Sequence, residues 1–371
     1  MSAYAPIART KLYGMPPDFF ARRTHFVDHL APIWNELNGH KEKGIFYVPR
    51  YLYEYARDRG LKVQAIPPRA GRKDINVRPP GNGPLVACAY NDMEQGYLSY
   101  AQRPLILMEH GVGLSFGHPG YGGGIGLRKR VCLFLAPNQN IYNKTSGVFP
   151  EAPQVIIGTP KMDAYQPVMP VKKENPVIGI SFHWNGKHVC PEAGNALDHY
   201  LEILPELAAR FTLVGHGHPK IIDKLIPIYQ NCGITTIERD FSKVLEMCDI
   251  YINDASSTLY EFSCTGKPVI ILNAPWFRRD VHHGIRFWQY TDIGVNVDDP
   301  AQLIPAVRKT IANPAQFYKQ RLKMVEDLYP YIGCSAKRAA QAITTFLRSK
   351  YNGTAFDSEQ ISGTLRAAIR S

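Results

Sequence analysis

The feature that most restricts the fold of this chain is a rhythm of short, wholly apolar runs, each followed by a helical stretch. Runs such as "PLVACAY", "PLILMEH" and "VCLFLA" in the first half, and "VIGISFHW", "FTLVGHG", "DIYIND" and "PVIILN" in the second, turn polar only at their C-terminal ends. A strand that is apolar on both faces must be covered on both faces. Helices placed between the strands supply that cover, which gives a parallel sheet built from βαβ units.

The rhythm runs twice. Between "GIFYV" (44–48) and "QVIIG" (154–158) strands alternate with helices such as "YLYEYARDRG" and "DMEQGYLSYA". A Pro- and Lys-rich stretch without periodicity, "TPKMDAYQPVMPVKKENP", interrupts it, and the pattern restarts at residue 177. The opening residues, up to about 40, read as irregular or weakly helical, 300–349 as mostly helical, and the last stretch as a frayed tail. The expected organisation is an N-terminal domain over 1–160, a linker over 161–176, a second domain over 177–349 and a flexible tail over 350–371. Two successive α/β domains of this kind place a ligand in the cleft between them.

Composition narrows the function classes. No run approaches the roughly 20 apolar residues of a spanning helix, and the opening residues hold no signal-peptide core. The seven cysteines are scattered without a C-x-x-C pair and read as reduced core thiols, so the expected location is the cytoplasm, free or peripheral at the inner membrane face. Net charge is +11, and residues 1–150 carry 19 Lys/Arg against 10 Asp/Glu. The basic clusters are Arg69/Arg72/Lys73/Arg78 and Arg128/Lys129/Arg130. They read either as a solvated face or as a field that draws an acidic acceptor to the first domain.

Chemistry-bearing residues stand at three strand ends. "DASSTLYEF" places Asp254, Ser256, Ser257 and Thr258 where a strand turns into a helix, with Glu261 one turn in. The serines either cap the helix or donate to a phosphate there, and Glu261 either completes a capping box or accepts from ribose hydroxyls. "LVGHGHPK" places His216, Gly217 and His218 at a second end; the H-x-H spacing lacks a third ligand, so no metal is expected. "LILMEHGVG" places Glu109 and His110 at a third, where an imidazole can act as a general base or simply hold a carbonyl. "GHPGYGGGIG" (117–126) does not fit a dinucleotide fingerprint and reads as a lid or acceptor loop. His282, His283, Arg278, Arg279 and Arg286 read as phosphate or base contacts, or as a solvated loop.

Taken in order, these segments resemble the CDP-glycerol glycerophosphotransferase family of teichoic-acid synthesis. The likeness spans roughly residues 85–345 and rests on His110-Gly111, "GTPKMD" (Gly158, Pro160, Lys161, Asp163), His218-Pro219 and "DASSTLYEF". It implies a GT-B fold, two Rossmann-like βαβ domains facing across a cleft and followed by C-terminal helices. It implies a nucleoside-diphosphate donor, CDP-glycerol or an NDP-sugar, as substrate and no tightly bound cofactor. Gly217, His218, Ser256, Ser257 and Thr258 would hold the donor phosphates, and Asp254, Glu261, Lys161 and His183 the nucleoside. His110, with Glu109, would be the base at an acceptor hydroxyl, and Arg72, Lys73, Arg128, Lys129 and Arg130 would bind a polyanionic acceptor. Position 255 is Ala where the family has an aromatic, and "SFHWNGKH" (181–188) replaces its aromatic-Arg pair. Two alternatives stay open: a phage-type DNA glycosyltransferase acting on hydroxymethylated pyrimidines, and a sugar-nucleotide epimerase.

Overall fold

The computed structural model describes residues 11–37, 43–66, 79–88, 103–112, 129–149, 152–186, 194–254, 256–277, 288–358 and 361. Arg72, Lys73, Arg128, the loop 117–126 and the segment with His282 and His283 lie outside them. The chain divides into two compact units, Met1–Ala164 with Leu328–Ser371, and Tyr165–Asp327.

Unit 1 holds a seven-stranded sheet in the order β3-β2-β1-β4-β5-β6-β7. Its strands are β1 (Asp18–Phe20), β2 (Phe46–Pro49), β3 (Val63–Ile66), β4 (Leu85–Cys88), β5 (Leu105–Met108), β6 (Val131–Ala136) and β7 (Gln154–Ile156), all parallel. Helices α1 (Thr24–Glu36), α2 (Tyr53–Arg57) and α3 (Gln139–Thr145) cross between them. Phe19, Phe46, Val86, Ile106 and Leu133 enter one core, while Phe20, Tyr47, Ala87, Leu107 and Phe134 enter the other. That split is the physical content of an all-apolar strand: consecutive side chains alternate faces and both faces are covered.

One sequence expectation is incomplete here. The stretch before residue 40, read as irregular or weakly helical, does supply a helix, the amphipathic α1, but also the central strand β1, which was not foreseen. "DFF" is too short to show periodicity, yet it is completely buried between β2 and β4. Helix α1 buries Phe26, Leu30, Ile33 and Trp34, an i, i+4, i+7, i+8 stripe, despite Pro32 inside it.

Unit 2 repeats the plan with six parallel strands in the order β10-β9-β8-β11-β12-β13. They are β8 (Val177–Phe182), β9 (Thr212–Gly217), β10 (Thr236–Ile237), β11 (Ile250–Asn253), β12 (Val269–Leu272) and β13 (Val295–Val297). The helices are α4 (Leu197–Tyr200), α5 (Leu204–Arg210), α6 (Ile222–Asn231), α7 (Phe241–Met247), α8 (Ser257–Ser263), α9 (Leu303–Ala312) and α10 (Tyr318–Leu328). Buried Arg321 on α10 donates to the carbonyls of Gly266, Ile293 and Pro314, and burial pulls its guanidinium down to about 10.

The last helix, α11 (Ser335–Asn352), corrects the expected domain limits. It belongs to unit 1, where Ala339, Ile343, Phe346 and Leu347 join the core, and Ile361 is buried there too. Residues 160–164, expected in the linker or at its edge, also lie in unit 1. The "GTPKMD" motif explains the attachment. Asp163 accepts hydrogen bonds from the backbone N–H groups of Gly333, Ser335 and Ala336, at 3.0, 3.0 and 2.7 Å, and so caps α11. Gly158 sits at φ +86°, and a Cβ there would stand 2.3 Å from the Pro330 carbonyl. Asp163→Ala is expected to cost about 2 kcal/mol by leaving helix-end donors unmet. Urea denaturation checks it: an unchanged midpoint would deny Asp163 this capping role.

Candidate active site

In each unit the strand order reverses beside the first strand, between β1 and β4 in unit 1 and between β8 and β11 in unit 2. Such reversals open a crevice at the carboxyl ends of the strands, where open α/β sheets place their ligands.

In unit 1, β5 ends at Met108 and delivers Glu109 and His110 to that rim. Glu109 is buried, and its Oε1 accepts from the backbone N–H groups of His110 (2.8 Å) and Gly111 (3.1 Å). The His110 ring is 34% exposed, with Nδ1 2.8 Å from the same oxygen. The angle at Nδ1 falls outside a hydrogen bond, so the contact is one of charge and proximity. The buried carboxylate thus stands beside Nδ1 of a partly open ring, close enough to stabilise a positive charge on it.

Helix α1 adds residues that sequence reasoning missed. The His110 ring lies 5.2 Å from that of Phe26, 5.7 Å from His25 and 6.1 Å from His29. Arg22, buried, and Arg23 stand in the turn from β1 into α1, with the Arg23 guanidinium 5.9 Å from the Phe26 ring. The signal was present as "FFARRTHFVDH", four basic or imidazole residues directly after a strand, but it was legible only once "DFF" was known to be that strand. Lys161 falls in this group as well, as an electrostatic neighbour of His29 and Asp28; it belongs to unit 1, whereas Asp254, Glu261 and His183, with which it was grouped, belong to unit 2.

Burial first, and then the nearby Lys161, His110 and His25, hold His29 well below the usual imidazole value. The folded chain refuses a proton that the unfolded chain accepts. Stability is therefore complete above about pH 6.5 and is lost as pH falls from there toward the depressed folded value. Melting temperature should drop between pH 7 and 5.5 and drop less in His29→Leu; identical slopes would remove His29 from the balance.

In unit 2, three neighbouring strands bring the other residues to one rim. Asp254, just beyond β11, is buried, and its carboxylate accepts from the backbone N–H groups of His183 and Ala196, each at 2.9 Å. It therefore ties the end of β8 to the start of α4, a structural duty that the nucleoside reading did not include. Ser256 caps α8, its Oγ accepting from Thr258 N at 3.3 Å. Thr258 Oγ1 lies 3.1 Å from the Tyr251 hydroxyl, and Ser257 is half-buried beside it. Glu261 is buried one turn further on.

At the end of β9, a Cβ on Gly217 would come 2.4 Å from Leu225, so this glycine lets the strand pack on α6. His216 Nδ1 lies 2.7 Å from the Glu238 carbonyl, which makes it a structural histidine. His218 is different: its Nδ1 accepts from Lys220 N at 3.1 Å, which leaves Nε2 to carry the ring N–H. The His218 ring is 5.3 Å from that of His183 and 6.4 Å from that of Trp184, and Lys220 Nζ lies 4.1 Å over Trp184. Trp184 and Lys220 extend the sequence-derived set.

No protein-family model matches the chain, and no curated protein sequence does. Solved structures do. A putative UDP-N-acetylglucosamine 2-epimerase from Listeria monocytogenes superposes with a TM-score of 0.61 at 14% identity, over 93% of this chain and 98% of that one. The wall teichoic acid polymerase TagF, soaked with CDPG, gives 0.59 at 13% identity over 93% of each chain. MnaA of S. aureus, with UDP, gives 0.58 at 15% over 90% of this chain and 97% of that one. The fold is GT-B.

Within this GT-B chain the first-half basic cluster is only partly described. Lys129 is exposed and Arg130 half-buried, in the turn that opens β6. Among the described residues no helix is long and apolar enough to cross a membrane. Cys88, Cys232, Cys248 and Cys264 are buried, and Cys132 and Cys334 half-buried.

Proposed function

We propose that this GT-B protein is a transferase that moves a nucleotide-activated glycerol phosphate or sugar onto a hydroxyl of a polyanionic acceptor. The observation that carries the reading is the Glu109–His110 pair: a buried carboxylate lies 2.8 Å from the Nδ1 of an imidazole whose ring stays partly open at a strand end. The acceptor O–H gives its proton to His110 Nε2. The oxygen forms a new bond to the phosphorus or anomeric carbon of the donor, and the bond to the departing nucleotide breaks with its electron pair. His218 Nε2–H and the Ser256 and Ser257 hydroxyls donate to the phosphate oxygens as charge develops there, and Glu261 takes the ribose hydroxyls. Arg23 and His25 favour an anionic acceptor next to the base, whereas Lys129 and Arg130, ahead of β6, lie at the opposite end of the parallel sheet. CDP-glycerol, with TagF among the structural neighbours, is the first donor to try.

Melting curves with CDP-glycerol, UDP-N-acetylglucosamine, GDP- and ADP-linked donors test this, because a ligand bound only by the native state raises its stability. Selective stabilisation by one is expected. No shift with any would overturn it. The epimerase reading draws on two of the neighbours, and conversion of UDP-N-acetylglucosamine to its 2-epimer without an acceptor would put it first.

A further inference from the structure

Asn273 was not singled out by its sequence, yet its side chain is the least explained polar group in unit 2. It follows β12 directly and is 2% exposed, and its Oδ1 has no hydrogen-bond partner among the described residues. A buried amide oxygen left unmet is a cost that folded proteins avoid unless something outside the chain meets it. The orientation is fixed by Asn296. That residue spends its own Nδ2 on the Thr291 carbonyl at 2.7 Å, so its Oδ1 faces Asn273 Nδ2 at 3.4 Å. The Asn273 oxygen therefore points elsewhere.

Its place on the sheet says where. Ile270 and Leu272 enter the core shared with Ile250 and Ile252. By alternation Asn273 belongs to the opposite face, with Tyr251 and Asn253. Helix α8 covers that face, Phe262 stacking on Tyr251 at 5.0 Å. Asn253 lies opposite Ile271 in the β11–β12 register. Two residues on, Asn273 lies just past that last pair, at the end of the sheet where β11 gives way to Asp254 and the cap Ser256. His218 on β9, His183 on β8, Ser256 beyond β11 and Asn273 beyond β12 thus stand along one rim. Adjacent strands are about 4.8 Å apart, so Asn273 is one strand past the residues assigned to the phosphates.

We propose that Asn273 Oδ1 is a specificity determinant that accepts a hydrogen bond from a hydroxyl of the group being transferred, a polyol or sugar, and not from the nucleoside diphosphate itself. The inference rests on the donor reading above. It carries a signature that a structural asparagine would not show. Because the oxygen is unmet among the described residues, its loss by itself costs the fold nothing, while it weakens only those ligands that carry the hydroxyl.

The test compares the whole chain with Asn273→Leu, and with Asn273→Ala should the leucine disturb folding. Calorimetric titration measures CDP and UDP against CDP-glycerol and UDP-N-acetylglucosamine, and melting temperature is read without ligand. Expected are unchanged affinity for the bare nucleotide, affinity for the complete donor weaker by about tenfold or more, and a melting temperature at most slightly below the native value, since of the side chain's bonds only the 3.4 Å one from Nδ2 to Asn296 is lost. Equal weakening of nucleotide and donor, or weakening of neither, would overturn the assignment, as would a large fall in melting temperature. If the native chain bound no nucleotide and no donor, the donor reading itself would fall and take this inference with it.

Discussion

His110→Ala is expected to lower turnover by about 10²–10⁴-fold while leaving donor affinity unchanged. In the proposed reaction the imidazole acts at the acceptor hydroxyl, while the residues proposed to hold the donor belong to the other unit, so base and donor binding separate. Glu109→Gln is expected to give a smaller loss of the same kind. The amide oxygen can still accept from the backbone N–H groups of His110 and Gly111, but the charge 2.8 Å from Nδ1 is gone. With it goes the stabilisation of the imidazolium that forms as the proton arrives. Single-turnover rates with donor affinity measured alongside check both. Full turnover in His110→Ala would remove it as the base; a loss of donor affinity equal to the loss of rate would make it a binding residue instead.

Arg103→Met is expected to be the most destabilising single change, costing about 3–5 kcal/mol. Arg103 is buried at the end of unit 1's sheet opposite His110, where its guanidinium pairs with Asp18 and its Nε and Nη1 donate to the carbonyls of Gly83 (2.6 Å) and Pro80 (2.5 Å). Asp18 also accepts from the Ile45 N–H at 2.6 Å. Removing the cation leaves a buried carboxylate and two or more carbonyls unmet. The double variant Asp18→Asn/Arg103→Met should lose less than the sum of the singles, because it removes the stranded charge as well. Urea midpoints of the four proteins form the cycle, and additive losses would show that the pair is not coupled.

The repeat of apolar strands was enough to read two parallel α/β units, because strands covered on both faces leave no polar alternation to confuse the signal. What stayed hidden had short-range sequence against it. β1 is three residues long, and its burial depends on β2 and β4, which no local pattern reveals. Helix α11 looked like a C-terminal part of the second domain because its apolar stripe does not say which core it fills. Asp163 and Gly158 decide that, through contacts across about 170 residues. At the site, residue types at strand ends were legible, but their duties were not. Asp254 and Gly217 read as ligand contacts, and the structure shows backbone and packing work for both. Asn273 carried no sequence signal, since an unmet oxygen is a property of three-dimensional surroundings.

The most direct measurement is hydrogen exchange of the whole chain with and without a saturating nucleotide-linked donor. Slower exchange gathered at the backbone amides of residues 181–186, 216–222 and 253–261, the ends of β8, β9 and β11, is the expected result. Protection confined to unit 1, or no change anywhere with donor bound, would contradict a donor site on the rim of unit 2.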